Sequence, residues 1–194
     1  MTTHAVAVLN KVQATDVDSY NRVARSATAI DNGWVMQLAT RSPNTGATAG
    51  ESEVWVGTAP SASAGLQNLW MAYSPEVVTV VSGSNKFKGI DADPQNFYHI
   101  IGEMIDVFQP KIGDIITLTA EAVSTAGAVV KSAYAVAVAG DGSADDFMLN
   151  WAASGAVSGL VLKYLGTTYI SKPTGAISET QRVEAYQFEV YAVA

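Results

Sequence analysis

Short apolar runs, separated by polar turns, recur along the whole chain. Residues 182–193 alternate strictly, with Tyr186, Phe188 and Val190 on one face and Ala185 and Gln187 on the other, a period typical of a β-strand. Further runs predict strands at residues 5–12, 34–39, 53–57, 69–73, 77–81, 115–119, 129–139, 147–151, 160–165 and 167–170, with a bulge at Gly166. About ten short strands at regular spacing predict a mainly β fold, an antiparallel sandwich or barrel with one short helix or helical turn.

Two segments fit both a helix and a strand. Residues 16–24 fit a short helix with an aspartate cap, whereas residues 21–29 fit a strand. Apolar residues between Phe97 and Phe108 follow helical spacing, but Gly102 interrupts them. We favour the other interpretation of this segment, a helical turn at 93–98 followed by a strand at 103–108.

The length of 194 residues suits one hydrophobic core. Residues 1–20 are predicted to form an extended N-terminal arm and residues 21–194 a single β-rich domain. Polar stretches at 41–52 and 139–146 are interpreted as loops within that domain.

The charge balance argues against a nucleic-acid partner. The formal net charge is -7 and only 15% of residues are charged, so the clustered cations that bind a phosphate backbone are missing. Cysteine is absent, which excludes disulfides and thiolate metal sites. Neither a signal peptide nor a membrane span is predicted, and synthesis in a cytoplasm is expected.

Catalytic motifs are absent from the sequence. His4 and His99 are its two histidines, and neither stands in a known catalytic spacing. A lone histidine is more often packed or solvated than a general base. We therefore expect a protein that is not an enzyme, with no catalytic residue and no cofactor.

Two acidic stretches and the tryptophans offer weaker alternatives. Residues 91–93 and 141–146 carry carboxylates that suit a hard cation, although a solvated turn explains both, and no metal site is predicted. Aromatic platforms also stack on sugar rings, but each tryptophan lies in an apolar strand pattern, which favours core packing.

Four segments resemble a known family. They are residues 53–60 (EVWVGTAP), 69–77 (LWMAYSPEV), 88–94 (KGIDADP) and 110–118 (PKIGDIITL). Together they resemble small virion proteins of tailed bacteriophages, most of all the head decoration or cement proteins. The resemblance implies a non-enzymatic β-rich protein that binds the outside of the capsid and stabilises it.

The implied partner is the major capsid protein, with a homo-oligomer such as a trimer on the head surface of the virion and no direct contact with nucleic acid or membrane. Alternatives are a tail or head-completion component and a carbohydrate- or receptor-binding β module. Exposed candidates for the capsid or subunit interface are Val6, Val8, Leu9, Asn44, Gly46, Lys86 and Lys88.

Overall fold

The computed structural model describes residues 3–8, 21–41, 54–62, 66–74, 78–82, 85–89, 94–125, 130–143, 145–155, 159–173 and 180–193. Thirteen strands lie in these ranges: β1 Asn21–Ser26, β2 Val35–Arg41, β3 Val54–Thr58, β4 Leu69–Ala72, β5 Val78–Ser82, β6 Asn85–Gly89, β7 Met104–Phe108, β8 Ile115–Thr119, β9 Val123–Ser124, β10 Tyr134–Ala137, β11 Leu149–Ala152, β12 Val161–Pro173 and β13 Thr180–Ala192. The helices among the described residues are short 3-10 turns, Pro94–Asn96 and Ala120–Ala122. None of the described helices has the length and apolar character to cross a membrane.

Five strands close into a barrel in the order β1-β3-β2-β4-β7. A second sheet has six strands in the order β8-β13-β12-β10-β11-β9, and β5 pairs with β6 in a hairpin. The predicted mainly β fold is confirmed. Two pairings, β1 with β3 and β9 with β11, are parallel, where an antiparallel arrangement was predicted.

Alternation along the barrel strands separates two hydrophobic cores. Met36 and Leu38 belong with Trp70 to a cluster inside the barrel. Val35 and Met71, the next residues along the same strands, belong to the cluster that includes the six-stranded sheet. Because successive side chains of a strand point to opposite faces, β2, β4 and β7 each serve both cores.

Both ambiguous segments form strands. Asn21–Ser26 is β1, and the turn Pro94–Asn96 followed by Met104–Phe108 confirms the turn-and-strand interpretation. The helical spacing was misleading because Ile100, Ile101 and Met104 are exposed and form no buried face. Gly102 adopts a φ of 76°, which ends any helical register there.

The N-terminal segment 3–8 lies along the edge of β8. The N–H of Thr119 donates to the carbonyl of Val6, and the N–H of Val8 donates to the carbonyl of Thr117, both at 2.9 Å. Residues 5–7 are buried, because this pairing covers an otherwise open sheet edge. This part of the predicted arm is therefore packed on the β domain, and residues 9–20 lie outside the described residues.

Strands β12 and β13 extend past the rest of their sheet. They pair with each other out to Pro173 and Thr180, whereas β13 pairs with β8 only over residues 185–189. The five outer pairs, from Tyr169 with Glu184 to Pro173 with Thr180, form a two-stranded ribbon of about 17 Å. A register shift between Tyr164 and Gly166 confirms the predicted bulge.

Candidate functional site

An exposed turn rich in apolar residues joins the Pro94–Asn96 turn to β7. Its large apolar side chains lie on the surface, and we call residues 98–104 the apolar turn; they are Tyr98, Ile100, Ile101 and Met104. The side chain of Ile101 is 68% exposed. Four such side chains within seven residues form a concentration typical of interaction surfaces, because single exposed apolar residues are common and clusters are not.

Backbone hydrogen bonds fix the shape of the apolar turn. The N–H of Glu103 donates to the carbonyl of Ile100 at 3.1 Å, and its carboxylate accepts the N–H of Ile100 at 3.2 Å. The N–H of Gly102 donates to the carbonyl of Ser26 at 3.0 Å, which ties the turn to the end of β1. The exposed side chains therefore stand on an ordered backbone.

His99 anchors the same turn from inside. It exchanges backbone hydrogen bonds with Ile30 at 2.8 and 3.1 Å, and only 2% of its surface is exposed. Its Nε2 lies 3.4 Å from Oδ1 of Asn32, whose amide donates to the carbonyl of Ser74. Burial lowers the pKa of His99 to about 4, so the ring is neutral at pH 7.

The arrangement around His99 favours a packing role. Its Nδ1 is buried without a hydrogen-bond partner and lies 3.8 Å from Oε2 of Glu103. The ring of Phe97 meets it edge to face at 4.9 Å. A buried ring enclosed by Phe97 and Asn32 supports the interpretation of a packed histidine.

A pocket of about 430 Å³ adjoins the apolar turn and shares Tyr98 with it. Its lining is mostly apolar, and it is formed by Thr3, His4, Ala29, Asp31, Trp34, Tyr98, Glu121 and Met148. The His4 ring stacks on Tyr98 with 4.5 Å between centroids, so the N-terminal segment forms one wall. The volume lies in the range of small-ligand sites.

Asp31 links the pocket to the N-terminal segment. Its Oδ1 lies 3.0 Å from Nδ1 of His4, and its Oδ2 accepts the N–H of Ala5 at 2.9 Å. Burial raises the pKa of Asp31, and the hydrogen bond from Ala5 and the charge of His4 oppose that rise. Glu121 adds a smaller like-charge effect in the same direction as burial.

The acidic loop 141–146 uses its carboxylates for its own turn. Asp146 accepts the N–H groups of Asp141, Gly142 and Ser143, and Ser143 donates its hydroxyl to Asp145 at 2.5 Å. These bonds lower the pKa values of both aspartates, that of Asp146 first through the Asp141 N–H and that of Asp145 first through the Ser143 hydroxyl. Among the described residues, no group of three or more His, Cys, Asp or Glu side chains is placed to hold a metal ion.

The described interface residues predicted from sequence fall on two segments, residues 3–8 and β6. Val6 is 3% exposed, so its predicted exposure is wrong, because its backbone pairs with β8. Val8 is half-buried in the same segment. Lys86 and Lys88 lie on β6 opposite Val81 and Thr79.

Leu9, Asn44 and Gly46 lie outside the described residues, and their part in an interface remains a prediction. In the sequence, Gly102 favoured a turn and a strand here, but no exposed surface was predicted for Ile101 and its apolar neighbours, because apolar residues usually indicate a core.

Two of the four tryptophans are core residues, as their strand patterns predict. Trp70 and Trp151 are buried, while Trp34 and Trp55 are half-buried. Trp34 stacks on Phe147 and lines the pocket.

No family of known proteins, no curated protein and no solved structure matches this chain.

Proposed function

We propose that this chain is a non-enzymatic structural protein of a tailed-phage virion, which binds the outer surface of the capsid and stabilises it. Its partner is the major capsid protein, and it acts as a homo-oligomer on the head. The sequence resemblance, the mainly β fold and the surface of the apolar turn support this proposal. The exposure of the apolar turn is the observation that carries it.

The physical argument rests on Ile101 and its neighbours. Removing apolar surface from water contributes roughly 25 cal/mol per Å² to binding. Ile101 and Met104 are the most exposed apolar residues of the turn, so a partner that covers them gains most from these two side chains. The turn is already ordered by hydrogen bonds to Ser26 and within itself. Little conformational entropy is then lost on binding, which favours its use as an anchor.

Stabilisation of the capsid follows from mass action. A protein that binds the assembled shell and not its separated subunits shifts the equilibrium toward assembly. Burial across the contact between neighbouring capsid subunits would resist their separation under internal pressure.

The test uses purified protein and expanded capsids that lack it. We expect saturable binding and greater heat resistance of the capsids. Ile101→Asp should reduce both, whereas Ile112→Asp should not, because Ile112 is equally exposed at 67% but lies in a different turn, before β8. Absence of binding by the unmodified protein would refute the proposal, and equal loss in both variants would refute the contact surface.

A tail or head-completion component is a second virion role. Copy number separates the two, since a decoration protein covers the head in hundreds of copies and a neck or tail protein is present in about a dozen or fewer. Mass spectrometry of intact virions measures presence and copy number together.

The pocket supports a second function class, a carbohydrate- or receptor-binding module. Trp34 and Tyr98 provide aromatic surfaces there, and Asp31 and Glu121 provide carboxylates that accept hydroxyl hydrogen bonds. A glycan array probed with the unmodified protein and with Trp34→Ala tests this function. Glycan binding that Trp34→Ala abolishes without unfolding would favour it over the capsid role.

A further inference from the structure

Two arginines and two tryptophans meet at the barrel. The Cζ atom of Arg22 lies 4.4 Å from the centroid of the Trp55 ring and 4.9 Å from that of Trp70. The Cζ atom of Arg41 lies 5.7 Å from the Trp55 ring. We call these four residues the arginine–tryptophan stack.

The barrel topology brings this stack together. Strand β3, which carries Trp55, lies between β1 with Arg22 and β2 with Arg41. Trp55 stands directly opposite Arg41 in the β2–β3 pairing and opposite Ala24 in the β1–β3 pairing. The two cations are 19 residues apart in sequence and share one aromatic ring only because the strands neighbour each other.

Trp70 is held in a fixed position beneath Arg22. Its ring is buried, and its Nε1 donates to Oδ1 of Asn68 at 3.0 Å. The amide of Gln109 donates to the same oxygen at 3.5 Å. Arg22 therefore lies over two aromatic rings, and the Trp70 ring cannot move without breaking this network.

Stacking leaves the hydrogen-bonding edge of a guanidinium free. When a guanidinium stacks on an aromatic face, its N–H groups point outward in its own plane. Both arginine side chains are exposed, and in the described part of the chain neither guanidinium lies within ion-pair distance of a carboxylate.

We infer that Arg22 and Arg41 form a binding site for the carboxylates of an acidic segment on a partner protein. A guanidinium binds a carboxylate through two parallel N–H···O bonds, and the stack holds the first guanidinium in place before the ligand arrives. Two such groups around one ring suit neighbouring acidic side chains.

The site is independent of the apolar turn. The stack involves β1, β2, β3 and β4, whereas the apolar turn precedes β7, so each can be changed without the other. The capsid proposal can therefore fail while this inference stands, and this inference can fail while the capsid proposal stands.

The test follows the four tryptophan indole N–H signals of the full chain by nitrogen-15 NMR. The probe is a short polyglutamate peptide with blocked ends, and polyglutamine is the neutral comparison. We expect saturable shifts of the Trp55 and Trp70 signals with polyglutamate alone. Arg22→Gln should weaken binding roughly tenfold or more, because charge-assisted hydrogen bonds are lost.

Matched variants separate specific recognition from general charge. Arg182→Gln removes an exposed arginine on β13 and should leave the affinity unchanged. Arg22→Lys keeps the positive charge but cannot form the two parallel N–H···O bonds of a guanidinium, so it should also bind polyglutamate weakly. If Arg22→Gln fails to fold, Arg41→Gln repeats the test, because it leaves the contact between Arg22 and Trp70 unchanged.

Three results would overturn the inference. One is the absence of saturable shifts, which would leave the stack a packing feature only. Another is equal weakening by Arg22→Gln and Arg182→Gln, which would reduce the effect to net charge. The third is tighter binding of a short single-stranded oligonucleotide than of polyglutamate, which would assign the site to phosphate.

Discussion

The ring of His4 and the carboxylate of Asp31 lie 3.0 Å apart, from Nδ1 to Oδ1, and join the N-terminal segment to the turn before β2. The other carboxylate oxygen accepts the backbone N–H of Ala5. One side chain therefore holds two consecutive residues of the segment that covers the β8 edge. The first prediction concerns this contact.

Asp31→Ala is expected to loosen residues 3–8. It leaves the buried N–H of Ala5 without its acceptor, which costs about 1–3 kcal/mol of unfolding free energy. Asp31→Asn should cost less, because the amide oxygen still accepts one hydrogen bond and no charge is buried. Hydrogen exchange at the Val8 amide and urea unfolding measure both effects. The exposed Asp106→Ala is the control, and an equal loss there would contradict the prediction.

His99 should make stability depend on pH. Its folded-state pKa is lowered from 6.5 to about 4, so below pH 6.5 the unfolded chain binds a proton that the folded chain does not. Stability from this residue is complete above pH 6.5 and is lost as the pH falls toward 4, by at most about 3 kcal/mol. The nearest facing charge is Glu103, which would stabilise a protonated ring and reduce the loss.

Urea unfolding of the unmodified protein and of His99→Gln between pH 4 and pH 7 measures this effect. The difference between the two stability curves should grow with pH up to about 6.5 and then stay constant. Parallel curves would mean that His99 does not titrate differently in the two states.

Gly33 requires both its conformation and its lack of a side chain. Its φ is 88°, and a Cβ there would lie 2.8 Å from Cδ2 of the buried Leu118. Gly33→Ala is expected to cost about 2–4 kcal/mol, from backbone strain and displaced packing. Gly113→Ala is matched in conformation, with a φ of 94° and no atom within 4 Å of a Cβ, and should cost about 1–2 kcal/mol. Thermal melts compare them, and equal losses would exclude a packing contribution.

Trp151 lies at the centre of the aromatic packing of the six-stranded sheet. Its ring centroid lies 5.3 Å from that of Tyr186, 5.6 Å from that of Tyr164 and 5.7 Å from that of Phe188. Trp151→Ala should destabilise the fold by about 3–5 kcal/mol, since it leaves a cavity among these rings. Tyr169→Ala, at a site 55% exposed on the ribbon, should change stability by about 0.5 kcal/mol or less. Guanidinium unfolding distinguishes the two.

Local pattern was sufficient where one face of a strand is buried. In β13 the alternation placed Tyr186, Phe188 and Val190 on one face, and all three are buried. The strand at Ile115–Thr119 was predicted with its observed bounds, because a Gly-Asp turn precedes five residues that are β-branched or apolar. The bulge in β12 was also predicted locally, because a glycine inside a strand pattern, here Gly166, often marks one.

Local pattern was insufficient where long-range pairing decides exposure. The apolar residues at 5–8 indicated a strand or an arm, but only the free edge of β8 decides that Val6 is buried. Ile101 has the composition of a core residue, and only the placement of the turn leaves it exposed.

By itself, the sequence determined most of the strand positions but not β6 or β9, together with the acidic balance and the absence of recognisable catalytic motifs. These properties depend on residue types within a few positions of one another. The tertiary structure alone decided which strands close the barrel, that Arg22 and Arg41 share Trp55, and that the surface of the apolar turn lies beside a pocket. Each of these depends on pairing between residues far apart in the chain, which the periodicity of apolar residues and the composition do not encode.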